Sequence, residues 1–278
     1  MTLMSVSNSS ARNVELELIT GGALIGRFDY NRRNAFNRLI VRFIIEAFYV
    51  GIPFYVLYFN KTLGSIFNLY YFSIYIVVYT TLWIVLETLY DGFYALNDCV
   101  FAKYEENPSI RGYCRTISLK RLLLFRLIYI YVLSILLIRF FHIKLENLVI
   151  AVVLITYALF LHNLVRVNLW RRFTIFVIRV SRLTFIPIAM GGADVIPLLI
   201  IVLMPYLLLQ INYDYKYYLT KYNVLIPPNR PPLYLIFSSF IPFSALFLYP
   251  NNLLALLPNC IIIFGSIYRR VIRTNIKK

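Results

Sequence analysis

Long apolar segments alternate with short polar and basic segments from residue 38 onward. A helix needs about 20 apolar residues to cross the hydrocarbon core of a bilayer, and eight segments reach or approach that length. The pattern predicts an all-α fold, a polytopic membrane helix bundle with about eight transmembrane helices (eight to nine). The predicted spans are 38–59, 66–96, 121–141, 147–165, 173–190, 194–211, 233–249 and 253–268.

The same pattern divides the chain into three regions. Residues 1–37 mix polar and apolar positions and predict a cytoplasmic N-terminal lead-in, residues 38–268 form the helix bundle, and residues 269–278 form a basic cytoplasmic tail. The second span is longer than one crossing requires. We therefore expect it to project into the cytoplasm or to bend near Gly92.

The composition supports a membrane protein and argues against nucleic-acid binding. Hydrophobic residues make up 60% of the chain and charged residues only 14%, against about 25% charged residues in ordinary soluble domains. The net charge of +16 would suggest nucleic acid in a soluble protein. Here it is better explained by basic loops on the cytoplasmic face. We expect a multi-pass protein of the cell membrane, with membrane lipids as partners and no nucleic acid.

The distribution of Lys and Arg predicts the orientation. With eight spans and both ends cytoplasmic, 21 Lys and Arg residues lie inside and only Lys61 and Lys144 lie outside, as the positive-inside rule requires. The fifth span contains Arg179 and Arg182, which share one helical face. They are predicted to point into a polar interior. The alternative is an amphipathic or incompletely inserted fifth segment.

Cysteine and histidine usage indicates no ordinary metal site. Cys99, Cys114 and Cys260 lack zinc-type spacing, and their odd number predicts no disulfide framework. His142 and His162 flank different predicted helices, which argues against a histidine-rich metal site.

Charged residues are concentrated between the second and third spans, in residues 95–121. Carboxylates and cations at the mouth of a membrane helix are costly and usually mark a site. The polar positions in this segment include Asn97, Asp98, Lys103, Glu105, Glu106, Asn107, Arg111, Arg115, Ser118, Lys120 and Arg121.

The order and spacing of these residues resemble the UbiA-type intramembrane prenyltransferase superfamily. That family carries N-D-x-x-D-x-x-x-D at the cytoplasmic end of its second helix, followed by Pro, Arg and a G-x-I-S-like segment. A second Asp-rich motif follows its sixth helix. The matching positions here are Asn97, Asp98, Glu105, Pro108, Arg111, 115–119 and, for the second motif, Asp214. Both motifs are degenerate, with Phe101 in the position of the middle carboxylate and Tyr218 four residues after Asp214.

The resemblance implies transfer of a prenyl group from an allylic diphosphate to an aromatic or alcohol acceptor, with a lipid among the expected acceptors. It implies that Asp98, Glu105 and Asp214 bind Mg²⁺ and serve as the catalytic carboxylates, because magnesium prefers oxygen ligands and bridges to phosphates. Expected substrate-binding residues are Asn97, Lys103, Arg111, Arg166, Arg179 and Arg182.

Two other functional classes stay open at this stage. One is a non-catalytic membrane protein that retains the fold, which the lost carboxylates favour. The other is an intramembrane aspartyl peptidase, since Gly191 to Asp194 reads Gly-Gly-Ala-Asp. Such an enzyme needs a second aspartate to share a proton, and the candidates are Asp29 and Asp91. The predicted topology places Asp194 on the opposite side of the membrane from both.

Overall fold

The computed structural model describes residues 32–56, 69–104, 114, 118–165, 168–196 and 199. These residues are almost entirely helical, and this part of the chain contains no β-strand. The helices are α1 (Arg32–Glu46), α2 (Ile52–Phe54), α3 (Leu69–Leu96), α4 (Leu119–Phe141), α5 (Leu145–Leu164) and α6 (Asn168–Gly191). A π-helical turn, Ala47–Gly51, joins α1 to α2.

Four helical segments in the described part are long and apolar enough to cross a membrane: Leu69–Tyr104, Leu119–Phe141, Leu145–Leu164 and Phe173–Val195. They correspond to the predicted spans 66–96, 121–141, 147–165 and 173–190, which confirms four apolar helices at these places. The predicted spans 233–249 and 253–268, and most of 194–211, lie outside the described residues. The total number of spans and the side of each terminus therefore stay predictions.

The chain divides into two compact units. The first comprises Met1–Phe43 and Ser73–Gly192, and the second comprises Ile44–Phe72 and Ala193–Lys278. In the described part of the second unit, Val50 and Phe54 are buried, and the rings of Tyr55 and Phe72 meet edge to face with their centroids 5.1 Å apart. The polar cluster described below lies in the first unit.

Helix α3 runs without interruption through Gly92 and continues in a π-helical turn, Asn97–Phe101, and a 3-10 turn, Ala102–Tyr104. At 1.5 Å per residue, Leu69–Tyr104 spans about 54 Å, well beyond the roughly 30 Å hydrocarbon core. A methyl group added at Gly92 would meet Leu123 and Arg126 at ordinary contact distance. Gly92 thus lies where α4 packs on α3.

A sharp helix end separates α4 from α5. His142 ends α4 in the left-handed conformation with φ of 53°, and the Ile143 amide donates to the Leu137 carbonyl at 3.2 Å. This pattern of a left-handed residue and a backward hydrogen bond is a Schellman-type helix end. Only residues 142–144 separate the two helices.

Helix α5 packs along α6 through a stripe of small and aliphatic side chains. Its buried positions are Leu148, Ala151, Ile155, Ala158 and Leu159, which recur at intervals of three and four residues. Small residues let membrane helices approach closely, where dispersion contacts hold them together. The opposite face of α5 is exposed and apolar, as expected of a helix that faces lipid.

Gly192 follows α6 with φ of +68°, and a Cβ there would lie 2.7 Å from the Asn147 side-chain oxygen. We expect Gly192→Ala to destabilise the protein by about 1–2 kcal/mol, because an L-residue is strained in this conformation. The matched control is Gly191→Ala, because Gly192 is the one described glycine with positive φ. Unfolding in mixed micelles measures both. Equal effects of the two substitutions would contradict the conformation assigned to Gly192.

Candidate functional site

Three carboxylates recur along one face of α3 and its π-helical extension. Glu87, Asp91 and Asp98 are spaced i, i+4 and i+11, and their exposed fractions are 2%, 0% and 3%. Positions with this spacing share a helical stripe. Each ionisable group deep in a bilayer costs about 2.5–3.5 kcal/mol on insertion scales. Such a stripe therefore requires compensating charges from neighbouring helices.

Helix α4 provides the first compensating charge. Arg126 Nε donates to Asp91 Oδ2 at 2.6 Å, and both side chains are fully or almost fully buried. Arg126 is the largest of the fully buried side chains in the described residues. A charge-assisted hydrogen bond of this kind is strong in a low-dielectric interior. It ties α4 to α3 at the level where Gly92 allows close approach.

Helices α6 and α1 both direct arginines at Glu87. Arg182 Nη2 donates to Glu87 Oε1, and Arg42 Nη1 lies 3.6 Å from Glu87 Oε2. The Arg182 guanidinium also lies over the Tyr90 ring, 4.6 Å from its centroid. An arginine over an aromatic face gains attraction from the ring quadrupole. Glu87 is therefore the point where three helices of the first unit are joined by charge.

Asn97 and Asp98 form the outer end of the stripe, in the π-helical turn that follows α3. Asn97 Nδ2 donates to Asp98 Oδ1 at 3.3 Å, and both side chains are buried. Asn97 Oδ1 is buried and accepts no hydrogen bond from the residues that the structure describes. Single π-helical turns occur often at functional sites, and an unsatisfied buried oxygen is costly unless something binds it.

The site residues predicted from the sequence lie in different places. Asn97 and Asp98 lie side by side in the π-helical turn. Lys103 is exposed at the end of the same element, with Nζ 4.8 Å from the Tyr104 ring centroid. Arg182 is buried against Glu87, and Arg179, one turn earlier on α6, is half-buried. Outside the described residues lie Glu105, Arg111, Arg166 and Asp214.

Phe101, which stands at the position of the middle motif carboxylate, ends the π-helical turn and is half-buried. Among the described residues, no group of three or more His, Cys, Asp or Glu side chains is arranged to hold a metal ion. Glu105 and Asp214, two of the three predicted magnesium ligands, lie outside that part of the chain, so the predicted ligand set stays a prediction.

The peptidase candidates are placed as follows. Asp194 is exposed in the 3-10 turn Gly192–Val195, Asp29 lies outside the described residues, and Asp91 is ion-paired with Arg126. An aspartyl dyad works by sharing one proton between two carboxyl groups. The arginine beside Asp91 stabilises the carboxylate form instead.

The prediction that the cysteines form no disulfide framework was wrong for one pair. Cys99 and Cys114 are joined by a disulfide with a Cα–Cα distance of 5.3 Å. Both pack against Ala95 and Leu122, where the outer ends of α3 and α4 meet. Cysteine counting failed here because an odd total does not prevent two of the three from pairing.

A second polar group joins α5 to its neighbours. His162 Nδ1 and Thr174 Oγ1 are 2.8 Å apart, and Asn163 Nδ2 donates to the Phe93 carbonyl at 3.5 Å. These contacts hold the end of α5 beside α3 and the start of α6. The side chains adjoin the segment in which the sequence resemblance placed a basic substrate-binding residue, Arg166.

Sequence reasoning missed Glu87, Arg126 and Arg42. A signal for them existed: Glu87 and Asp91 are one turn apart within an apolar run, and Arg126 lies within a predicted span. Intramembrane ionisable residues face the bundle interior and pair with one another. Counting opposite charges within the predicted spans would have indicated these pairs, although not which partner each one takes.

The arrangement separates two roles along one helix. The carboxylates within α3, Glu87 and Asp91, form ion pairs with arginines of neighbouring helices and hold the bundle together. The pair that follows α3, Asn97 and Asp98, places a carboxylate and an amide side by side in a buried π-helical turn. No protein-family model, curated protein or solved structure matches the chain.

Proposed function

We propose that this protein is an integral membrane transferase that binds a prenyl diphosphate at the Asn97–Asp98 end of α3. It would pass the prenyl group to an aromatic or alcohol acceptor, with the cell membrane as its location. The observation that carries the proposal is the buried Asn97–Asp98 pair in a π-helical turn, with Asn97 Oδ1 accepting no hydrogen bond from the described part of the chain. Buried polar groups of this kind at the end of an apolar helix mark candidate sites.

The oxygen atoms of Asp98 and Asn97 suit a hard divalent cation such as Mg²⁺. In the proposal, Glu105 and Asp214 complete the ligand set, and bound magnesium would neutralise charge on the diphosphate. Lys103, Arg111 and Arg166 would donate hydrogen bonds to its oxygens. The C–O bond to the prenyl group breaks, diphosphate leaves with the electron pair, and the acceptor forms the new bond and loses a proton.

Arg182 takes a different role in this proposal from the one first expected. Its partner Glu87 lies 11 residues before Asp98, roughly 16 Å along a helix. At that separation Arg182 stabilises the bundle and does not share a diphosphate group with Asp98. Arg179 is on the same helical face and would add only to the positive potential of the interior.

We expect Asp98→Asn to reduce magnesium-dependent diphosphate release by about 100-fold or more, since it removes a charge that acts on the transition state. The substitution keeps an oxygen that can accept from Asn97, so folding should be preserved. The measurement is diphosphate release from allylic diphosphates of several chain lengths by the purified full chain with added acceptors.

Asp194→Asn is the matched control, because Asp194 is exposed and lies outside the proposed site. It should leave diphosphate release unchanged. Release that is absent from the wild type, or equal in wild type and Asp98→Asn, would favour the non-catalytic alternative. That alternative draws its support from Glu87 and Asp91, whose charges already serve structural ion pairs.

A further inference from the structure

The Cys99–Cys114 disulfide lies in a part of the chain where a permanent disulfide is not expected. Both cysteines fall between the second and third predicted spans, a segment with five Lys and Arg residues: Lys103, Arg111, Arg115, Lys120 and Arg121. Such basic segments face the cytoplasm. Cytosolic thiols are kept reduced, and the disulfides that do form there are usually transient or redox-sensing.

We propose that Cys99 and Cys114 form a reversible thiol–disulfide site that opens and closes with the thiol redox state on the basic side of the membrane. The two sulfur atoms are already joined in the structure, and both residues are half-buried. They are therefore close enough to re-form the bond after reduction. They are also accessible enough to react with a partner thiol.

The reductant in this thiol–disulfide exchange is a dithiol protein or two glutathione molecules. A thiolate of the reductant attacks one sulfur, the Cys99–Cys114 bond breaks, and a mixed disulfide forms. A second reductant thiol displaces the protein thiolate, so this protein gains two electrons and two protons while the reductant becomes a disulfide. The reverse exchange, with the disulfide form of that partner as the oxidant, closes the Cys99–Cys114 bond again.

The position of the bond gives the exchange a structural consequence. Cys99 follows Asp98 directly within the π-helical turn, and Cys114 precedes α4 by a few residues. The closed bond therefore joins the packed ends of α3 and α4 covalently. Reduction removes that covalent tie beside Asp98. The inference does not depend on the transferase proposal, and its test uses no prenyl diphosphate.

The test is thiol counting on the full chain in native membranes. Free thiols are blocked with N-ethylmaleimide, disulfides are then reduced under denaturing conditions, and the released thiols are tagged with maleimide-polyethylene glycol. Membranes oxidised with diamide should gain two tags per chain. Membranes first treated with dithiothreitol without denaturant should gain none, and a second diamide treatment should restore both.

Variants identify the pair. Cys260→Ser is the matched control and should keep both tags, whereas Cys99→Ser and Cys114→Ser should each lose both. Cys99→Ser or Cys114→Ser alone decides the test if the other variant does not accumulate in membranes. Thiols that stay free under all treatments, a disulfide that resists dithiothreitol until the protein is denatured, or loss of the tags in Cys260→Ser would each overturn the proposal.

Discussion

Replacing Arg126 by Met is expected to destabilise the bundle by about 3–5 kcal/mol. The arginine lies fully inside the protein, and its Nε is 2.6 Å from the Asp91 carboxylate. Methionine fills a similar volume but leaves Asp91 as a buried carboxylate without the arginine that compensates it. Removing one partner of a buried ion pair has a cost of this size, because the remaining charge loses both water and partner.

Unfolding of the purified protein in mixed micelles would measure this loss. Arg139→Met is the matched control, because Arg139 lies on the same helix and is exposed near its end. It should change stability by no more than about 0.5 kcal/mol. The double variant Asp91→Asn with Arg126→Met should recover much of the loss. If Arg126→Met is as mild as the control, the Asp91–Arg126 pair does not hold the helices.

Arg182→Met should be far more damaging than Arg42→Met, although both arginines face Glu87. Arg182 is only 7% exposed, donates directly to Glu87 Oε1 and covers the Tyr90 ring. Arg42 is 40% exposed and lies 3.6 Å from Oε2. We expect about 3–5 kcal/mol for the buried arginine and about 1 kcal/mol or less for the exposed one.

The same unfolding measurement compares the two arginine variants directly. Glu87→Gln provides a further check, since it removes the charge that both arginines face while keeping a similar shape. Its effect combined with Arg182→Met should be smaller than the sum of the single effects, because the residues are in contact. Additive effects, or equal losses for Arg182→Met and Arg42→Met, would show that Glu87 is not the shared partner.

The apolar pattern predicted four of the helices that the structure describes, whereas α1 begins at Arg32, six residues before the predicted span 38–59. Four predicted spans have helices whose ends agree within a few residues, except at the N-terminal end of the fifth, where α6 begins at Asn168. Of the two alternatives predicted for the second span, projection beyond the membrane or a bend near Gly92, the structure shows an uninterrupted α3 that continues in helical turns to Tyr104. A glycine in a helix lowers local stability, yet Gly92 packs against α4, and that tertiary contact decides the conformation.

The pairing of charges was less predictable than the helices. The sequence shows that Arg126 and Arg182 interrupt apolar segments. Whether each arginine pairs with Asp91 or with Glu87 depends on the rotation of the helices and on which helices are neighbours. A hydrophobic pattern with a period of 3.6 residues does not predict the π-helical turn at Asn97–Phe101 either. The adjacency of Asn97 and Asp98 follows from the sequence itself, whereas their role as site residues stays a prediction.

Two polar regions of α3 thus have distinct physical roles. Around Glu87 and Asp91, arginines from three other helices neutralise buried carboxylates and fasten the first unit together. At Asn97–Asp98, the buried Asn97 side-chain oxygen accepts no hydrogen bond from the described residues. It lies beside the Asp98 carboxylate and next to the Cys99–Cys114 disulfide. Because stability depends on the first region and ligand binding is proposed for the second, substitutions can separate them: Asp98→Asn should impair binding while leaving the unfolding free energy nearly unchanged.

The most direct test of the proposed site is binding of a prenyl thiolodiphosphate, a slowly reacting analogue, to the purified full chain by calorimetry. We expect magnesium-dependent binding to the wild type and at least tenfold weaker binding to Asp98→Asn, which corresponds to about 1.4 kcal/mol. Asp194→Asn should bind with the affinity of the wild type. No binding to the wild type, or equal affinity in wild type and Asp98→Asn, would contradict a prenyl diphosphate site at Asn97–Asp98.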